Sequence, residues 1–199
     1  MSVLLVIAGP SGTGKGTIVR RLLDRDPGLW FSVSATDRER RPEEVDGRDY
    51  RFVTTEEFEQ LRDDGGFLEW FEVFGDLKGT PRAPIEQHLA AGDDVLVEVD
   101  VQGALAIREA FPQAFLLFVR PPSHEVQERR LRARAEEEAE RSGVAVDEAD
   151  LRRRLDEAAA EEEAAATFDA VVVNDDLDRA LDEIEALLAG QRNLPGHSV

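Results

Sequence analysis

Residues Gly9-Pro10-Ser11-Gly12-Thr13-Gly14-Lys15-Gly16-Thr17 follow directly on an apolar run, Val3 to Ala8. They lead into a segment whose Ile18, Val19, Leu22 and Leu23 share one helical face. The order is strand, glycine-rich turn, helix. Glycines at 9, 12 and 14 allow positive φ and close approach to a ligand, so successive N–H groups can line a nest the size of an anion. A helix that starts near Lys15 aims the positive end of its dipole at the same point, where the Lys15 ammonium reaches the β- and γ-phosphates of a nucleoside triphosphate. The alternative is a plain glycine-rich turn. The spacing G-x-x-x-x-G-K in this context predicts triphosphate binding by Gly9, Ser11, Gly12, Thr13, Gly14, Lys15, Gly16 and Thr17.

The strict form of this loop has Ser or Thr after the lysine, to place a hydroxyl on Mg²⁺, and here the residue is Gly16. Thr17 lies about 100° further round a helix and cannot take over that task. The Gly-Lys-Gly-Thr ending resembles the loop of adenylate kinases, which implies ATP·Mg²⁺ binding without the hydroxyl. The metal is then expected to rest on phosphates, water and acids elsewhere. Glu98 and Asp100, two residues apart on one face at the carboxyl end of a strand from Val95, are the candidates, acting through water or on the substrate.

The elements that must position these groups are legible as an alternation. Val3 to Ala8, Leu29 to Val33, Val95 to Val99, Phe115 to Val119 and Ala170 to Val173 are short, rich in Val, Leu and Phe, and not alternating, the pattern of parallel strands buried on both faces. Helical periodicity lies between them and after the last, where Leu177, Leu181, Ile184 and Leu188 share a face. The expectation is an α/β fold, a doubly wound three-layer sandwich on a parallel five-stranded core sheet. Two stretches interrupt the alternation. One, about Ala35 to Gly92, carries an Arg-rich segment, a Thr54/Glu57 capping box and a short helix around Pro84 to Ala91, and reads as a small mixed α+β insertion. The other, Ser123 to Thr167, is a charged helical pair broken near Ser142-Gly143 with Asp147 as N-cap, either a mobile arm or a solvated hairpin. The end, Arg192 to Val199, is expected to be disordered.

Composition closes off other chemistries. The 199 residues include no cysteine, so there is no disulfide, thiolate zinc site or cysteine nucleophile. Three scattered histidines give neither metal-ligand spacing nor a Ser/His pair. A net charge of −19 opposes binding to a nucleic-acid backbone, while leaving room for a small anion in a local basic pocket. No apolar run approaches the length of a membrane span, and Met-Ser-Val-Leu-Leu lacks the basic flank of a signal peptide, so a cytoplasmic protein with no membrane or nucleic-acid partner is expected.

Several motifs fall in one order: the phosphate loop; Ser34 to Tyr50, with Arg38, Arg40 and Arg41; Gly66-Phe67-Leu68-Glu69; Gly79-Thr80-Pro81; Asp100-Val101-Gln102-Gly103-Ala104; Pro121-Pro122-Ser123; and Val173-Asn174-Asp175. Together they resemble guanylate kinase over nearly the whole chain. The resemblance implies a three-layer P-loop kinase fold with a core (1–34, 93–122 and 168–191), a GMP-binding insertion (35–92), a helical lid (123–167) and a tail (192–199). It implies ATP and GMP as substrates, with Mg²⁺. Ser34, Arg38, Arg41 and Tyr50 would clamp the GMP phosphate, a task suited to guanidinium groups. Glu69, helped by Thr80, would read the guanine N1–H and 2-amino group, which adenine does not pair, giving discrimination on the order of 10⁴-fold. Asp100 and Lys78 complete the GMP set. Lys15, Arg130, Arg134 and Arg154 would stabilise the transferring phosphoryl group. By pattern alone the Arg-rich run reads as a solvated loop and the helix arginines as partners of nearby glutamates; the resemblance reverses that order.

Beside Gly16, five positions depart from the family's usual residues: Lys78 for a tyrosine that contacts the GMP phosphate, Asp37 for threonine, Arg40 for proline, Glu43 for glycine and Glu98 for aspartate. Asp37 and Glu43 are expected to weaken GMP unless they pair with Arg40 or Arg48. The reaction implied is ATP + GMP to ADP + GDP by direct in-line transfer. The rivals are a binding module of the same fold and a kinase for another phosphorylated acceptor such as a sugar. The retained loop argues against the first, and Glu69 with Thr80 against the second. Monomer and homodimer are both open.

Overall fold

The computed structural model describes residues 2–73 and 75–194. In chain order the elements are β1 (Leu4–Ala8), α1 (Lys15–Arg25), β2 (Leu29–Phe31), β3 (Ala35–Thr36), β4 (Arg51–Phe52), α2 (Thr55–Asp63), β5 (Phe67–Val73), β6 (Asp76–Pro81), α3 (Arg82–Ala91), β7 (Asp94–Glu98), α4 (Val101–Ala110), β8 (Phe115–Arg120), α5 (His124–Ser142), α6 (Glu148–Glu163), β9 (Ala170–Val173) and α7 (Leu177–Arg192).

The core sheet has the order β2-β7-β1-β8-β9, and every pairing in it is parallel. Successive side chains of β1 point to opposite faces, and both faces are covered. Leu5 and Ile7 pack with Ile18, Leu22, Leu181, Ile184 and Leu188 of α1 and α7. Leu4, Val6 and Ala8 pack with Ile85, Leu89, Ala104 and Ile107 of α3 and α4. This is why β1 is apolar without alternation. β1 lies between β7 and β8, where the strand order turns back, so its carboxyl end is the point at which such sheets bind ligands.

The second sheet, β4-β3-β6-β5, joins β3 to β4 in parallel and β6 to β3 and β5 antiparallel. Phe58 of α2 stacks on Phe67 with ring centroids 4.4 Å apart, closing a small separate core with Ala35. The capping box forms as its spacing predicts: Thr54 Oγ1 accepts from Glu57 N, and Glu57 Oε2 accepts from Thr54 N. Asp147 caps α6, and Gly143 ends α5 in the left-handed region.

Some boundaries differ from the sequence reading. The short helix assigned to the insertion, α3, buries Ile85 and Leu89 in the core beneath β1 and β7 instead. Asp100 is not on the strand: β7 ends at Glu98, and Asp100 is the N-cap of α4, accepting from Gly103 N at 2.7 Å. Disorder is expected from Arg192 onward, but Arg192 closes α7 and donates to Asp26 and Asp94, tying the helix to the base of the sheet. Residues 195–199 of that expectation lie outside the described residues. No helix among the described residues is long and apolar enough to cross a membrane.

Candidate active site

The loop between β1 and α1 wraps the carboxyl end of the central strand. Gly14 sits at φ +91° as N-cap of α1, and no side chain caps that helix, so its first-turn amides are left for a ligand. A Cβ on Gly14 would stand 2.6 Å from Asn174 Nδ2, so only glycine fits. The loop's carbonyls are held from behind. Asn174 Nδ2 and Arg130 Nη1 donate to Thr13 O at 2.7 and 3.1 Å, Arg130 Nη2 donates to Asn174 O at 3.1 Å, and Gln127 Nε2 donates to Ser11 O at 2.9 Å. Thr13 is fully buried and its hydroxyl donates to Pro10 O. Gln127 and Asn174 had no assigned role in the sequence reading. Their one signal there is an amide side chain at the start of a helix and another directly after the last strand.

Lys15 Nζ folds back on the loop and donates to Gly9 O at 2.5 Å and Pro10 O at 3.0 Å. Burial pushes its ammonium below the ordinary lysine range, while Glu98, Glu161 and Asp100 pull the other way. These groups border a cavity of about 340 Å³ that runs from the phosphate loop, past Ser34 and Tyr50, to Glu161 of α6. Burial raises Glu161 to about 7, against the pull of Lys15. Burial likewise raises Glu98, opposed by Lys15 and Arg134. A Cβ on Gly16 would lie 3.8 and 3.9 Å from the two Glu98 oxygens, so that carboxylate stands beside the first turn of α1. Gly16 and Thr17 are both exposed.

A second cavity, of about 160 Å³, shares Ser34, Tyr50, Glu98 and Asp100 with the first and extends to Glu69 and Lys78. Glu69 of β5 is paired in register with Thr80 of β6, and Thr80 Oγ1 donates to Glu69 Oε1 at 2.5 Å. Glu69 is 8% exposed and Thr80 is fully buried. Burial lifts the Glu69 carboxyl to about 7, the Thr80 hydrogen bond opposing it. A buried carboxylate with no cationic partner among the described residues is poised for a ligand that brings hydrogen-bond donors.

The Arg-rich loop is arranged differently from its sequence reading. Arg38 Nη2 donates to Glu44 Oε1 at 2.7 Å, and its guanidinium lies 5.6 Å from the Tyr50 ring. Arg41 is exposed, and its backbone N, not its guanidinium, is anchored on Glu44. The acid that engages the clamp is thus Glu44 and not Glu43, which is exposed. Asp37 pairs with neither Arg40 nor Arg48. It accepts from Leu77 N at 2.7 Å and Thr55 Oγ1 at 2.9 Å, joining α2 to β6 as a strut.

The helix arginines also part company. Arg130 serves the phosphate loop, whereas Arg134 is exposed and borders a cavity between α5 and α6 with Arg154. Arg154 Nε donates to Asp150 Oδ2 at 2.7 Å, four residues back on its own helix, the plainer of its two sequence readings. Carboxylate oxygens at Glu98 and Asp100 suit a hard cation such as Mg²⁺. Among the described residues no group of three or more acid or histidine side chains is arranged to hold a metal ion.

Comparison with known proteins agrees with this geometry. The sequence model of the family described as guanylate kinase matches residues 1–191. A guanylate kinase of Parasynechococcus marenigrum is 48% identical over 188 residues, covering 94% of this chain and 98% of the relative. One from Mycobacterium sp. (strain MCS) is 49% identical over 189 residues, covering 94% and 91%. The crystal structure of guanylate kinase from Anaplasma phagocytophilum superposes with a TM-score of 0.74 at 32% identity, covering 98% of this chain and 88% of that one. A family model spanning residues 1–191, relatives almost half identical over more than nine-tenths of the chain and a solved structure of the same fold give one conclusion: the chain belongs to the guanylate kinase family.

Proposed function

We propose that this protein transfers the γ-phosphoryl group of ATP to the phosphate of GMP, giving ADP and GDP. The observation that carries the reading is the buried Glu69–Thr80 pair, whose Glu69 borders a cavity that shares Ser34, Tyr50, Glu98 and Asp100 with the cavity at the phosphate loop. Guanine offers N1–H and a 2-amino group side by side, and one carboxylate accepts from both. Adenine leaves that carboxylate buried and unpaired, which disfavours it strongly.

In this reading the uncapped first turn of α1 and the loop amides take the ATP phosphates, with Lys15 leaving its loop carbonyls for them. Arg130, Gln127 and Asn174 hold the loop in shape. Ser34, Arg38, Arg41, Tyr50, Lys78 and Asp100 border or receive the acceptor. Glu98 and Asp100 hold Mg²⁺ through water, and that ion, when bound, neutralises charge on the transferred group. The arm 123–167 acts as a lid. Its closure carries Arg134 and Arg154 toward the phosphates, Arg154 leaving Asp150, and excludes water from the transfer. The insertion expected over 35–92, less the core helix α3, acts as the acceptor-binding unit, and the cytoplasm is where the substrates are met.

A coupled ADP-release assay with ATP·Mg²⁺ tests this, offering GMP, AMP, UMP and CMP in turn. Turnover with GMP alone, abolished in Lys15→Ala, is expected. Turnover with AMP at the rate of GMP, or activity that survives Lys15→Ala, refutes the reading. Inosine monophosphate, which lacks the 2-amino group, should bind much less tightly than GMP.

A further inference from the structure

The acceptor cavity holds a cation, Lys78, that forms no ion pair among the described residues. Lys78 of β6 stands opposite Phe71 of β5 and Thr36 of β3, two residues before Thr80 and so on the same face of the strand as the Glu69 partner. Its side chain borders the cavity together with Ser34, Tyr50 and Glu69. Lys78 is half-buried, and its Nζ lies 5.8 Å from the centre of the Tyr50 ring. Among the described residues no hydrogen bond or ion pair reaches it.

Of the nearby cations, Arg38 and Lys15 are already engaged, while the Arg41 side chain is exposed. Arg38 donates to Glu44 and to Glu39 O, and Lys15 donates to two loop carbonyls. Burial, Arg38 and Arg41 make it harder for Lys78 to keep its proton, and Asp76 and Asp100 lie only near enough to offset this in part. An anion placed in the cavity relieves all of these at once.

We propose that Lys78 is the residue by which this cleft selects its acceptor for charge, its ammonium matching the second negative charge of a nucleoside monophosphate dianion. The inference rests on the GMP reading and deepens it. Arg38, already balanced by Glu44, supplies directional hydrogen bonds, whereas Lys78 supplies net charge. A tyrosine hydroxyl at this position would offer a hydrogen bond and no charge, so the preference for a dianion over a monoanion follows from the lysine.

Calorimetric titration tests this with three ligands of one base: guanosine, GMP, and the methyl ester of GMP, which carries one negative charge in place of two. The proteins are the wild type, Lys78→Met and Lys78→Arg. Lys78→Met is expected to weaken GMP by about 10- to 100-fold, to weaken the ester less, and to leave guanosine unchanged. Lys78→Arg keeps the preference of GMP over its ester. The guanosine titration doubles as the check that the variant is folded. An unchanged GMP affinity in Lys78→Met, or an equal loss of all three ligands, overturns the proposal. Failure of the wild type to bind either guanosine or GMP overturns the acceptor reading itself, a result distinct from one confined to Lys78.

Discussion

Replacing Glu69 with glutamine should strengthen the empty protein at alkaline pH while removing its hold on guanine. The ordinary value for this carboxyl is 4.5, and burial raises it to about 7 in the folded chain. Below 4.5 both folded and unfolded forms carry the proton and the group contributes nothing to the pH dependence. Between 4.5 and about 7 the unfolded chain releases its proton while the folded chain keeps it, so stability falls as pH rises. Above this window both are ionised and the full penalty stands. At about 1.4 kcal/mol per pH unit, the difference between 4.5 and about 7 amounts to about 3 kcal/mol. Because Glu69 is 8% exposed, solvent screens little of this. Glutamine has no proton to lose, and its side-chain oxygen still accepts from Thr80. For a chain of 199 residues, about 3 kcal/mol corresponds to roughly 6–12 °C in Tm. The assay is thermal unfolding of wild type and Glu69→Gln at intervals from pH 5 to 8, without nucleotide. The Tm difference between them should move in favour of the variant by that amount across the window. Glu161 also titrates near 7, but it is present in both proteins and drops out of the difference. Parallel curves refute the reasoning. GMP, whose donors stabilise the ionised form, should release protons on binding near pH 6.5, seen as a buffer-dependent enthalpy that Glu69→Gln lacks.

Gly14→Ala forces a side chain into a backbone at φ +91° and within 2.6 Å of Asn174 Nδ2, and is expected to cost about 1–3 kcal/mol in urea unfolding and to weaken ATP in titration. Asp37→Ala removes the acceptor for Leu77 N and Thr55 Oγ1, so Tm should fall, by about 1–2 kcal/mol in stability, with ATP affinity unchanged. Tighter GMP binding in that variant would instead restore the view of Asp37 as an acid repelling the phosphate. Glu98→Gln is expected to raise the Mg²⁺ concentration needed for half-maximal turnover and to leave metal-free GMP binding unchanged; an unaltered Mg²⁺ dependence counts against its role at the ion.

Much of the scaffold was legible because it rests on short-range physics. Leu4 to Ala8 is apolar at every position, which suits only a strand with both faces covered, and both are. Thr54 and Glu57 cap α2 across three residues, and Gly143 and Asp147 divide the helical pair, all within local reach. The loop from Gly9 to Lys15 follows from backbone conformations that glycine permits. The assignments that shifted depend on partners distant in the chain or on competition between near neighbours. Asp37 looked like a misplaced charge until Leu77, 40 residues on, supplied its donor. Glu43 and Glu44 are equivalent in the sequence, and only the turn of the loop decides that Glu44 meets Arg38.

By itself, then, the sequence determined the order of the strands along the chain and the anion nest, because each follows from residue type and spacing, while the reaction class was implied by the resemblance of the motifs to guanylate kinase. Tertiary structure decided which charges are free to act. It ties Gln127, Arg130 and Asn174 to the phosphate-loop carbonyls, keeps Arg154 on Asp150 in this conformation, and leaves Glu69 and Lys78 beside one cavity with no ion pair among the described residues. The reason is electrostatic. Whether a charge is answered or left waiting for a ligand depends on burial and on the groups within a few ångströms, and folding alone brings those groups together.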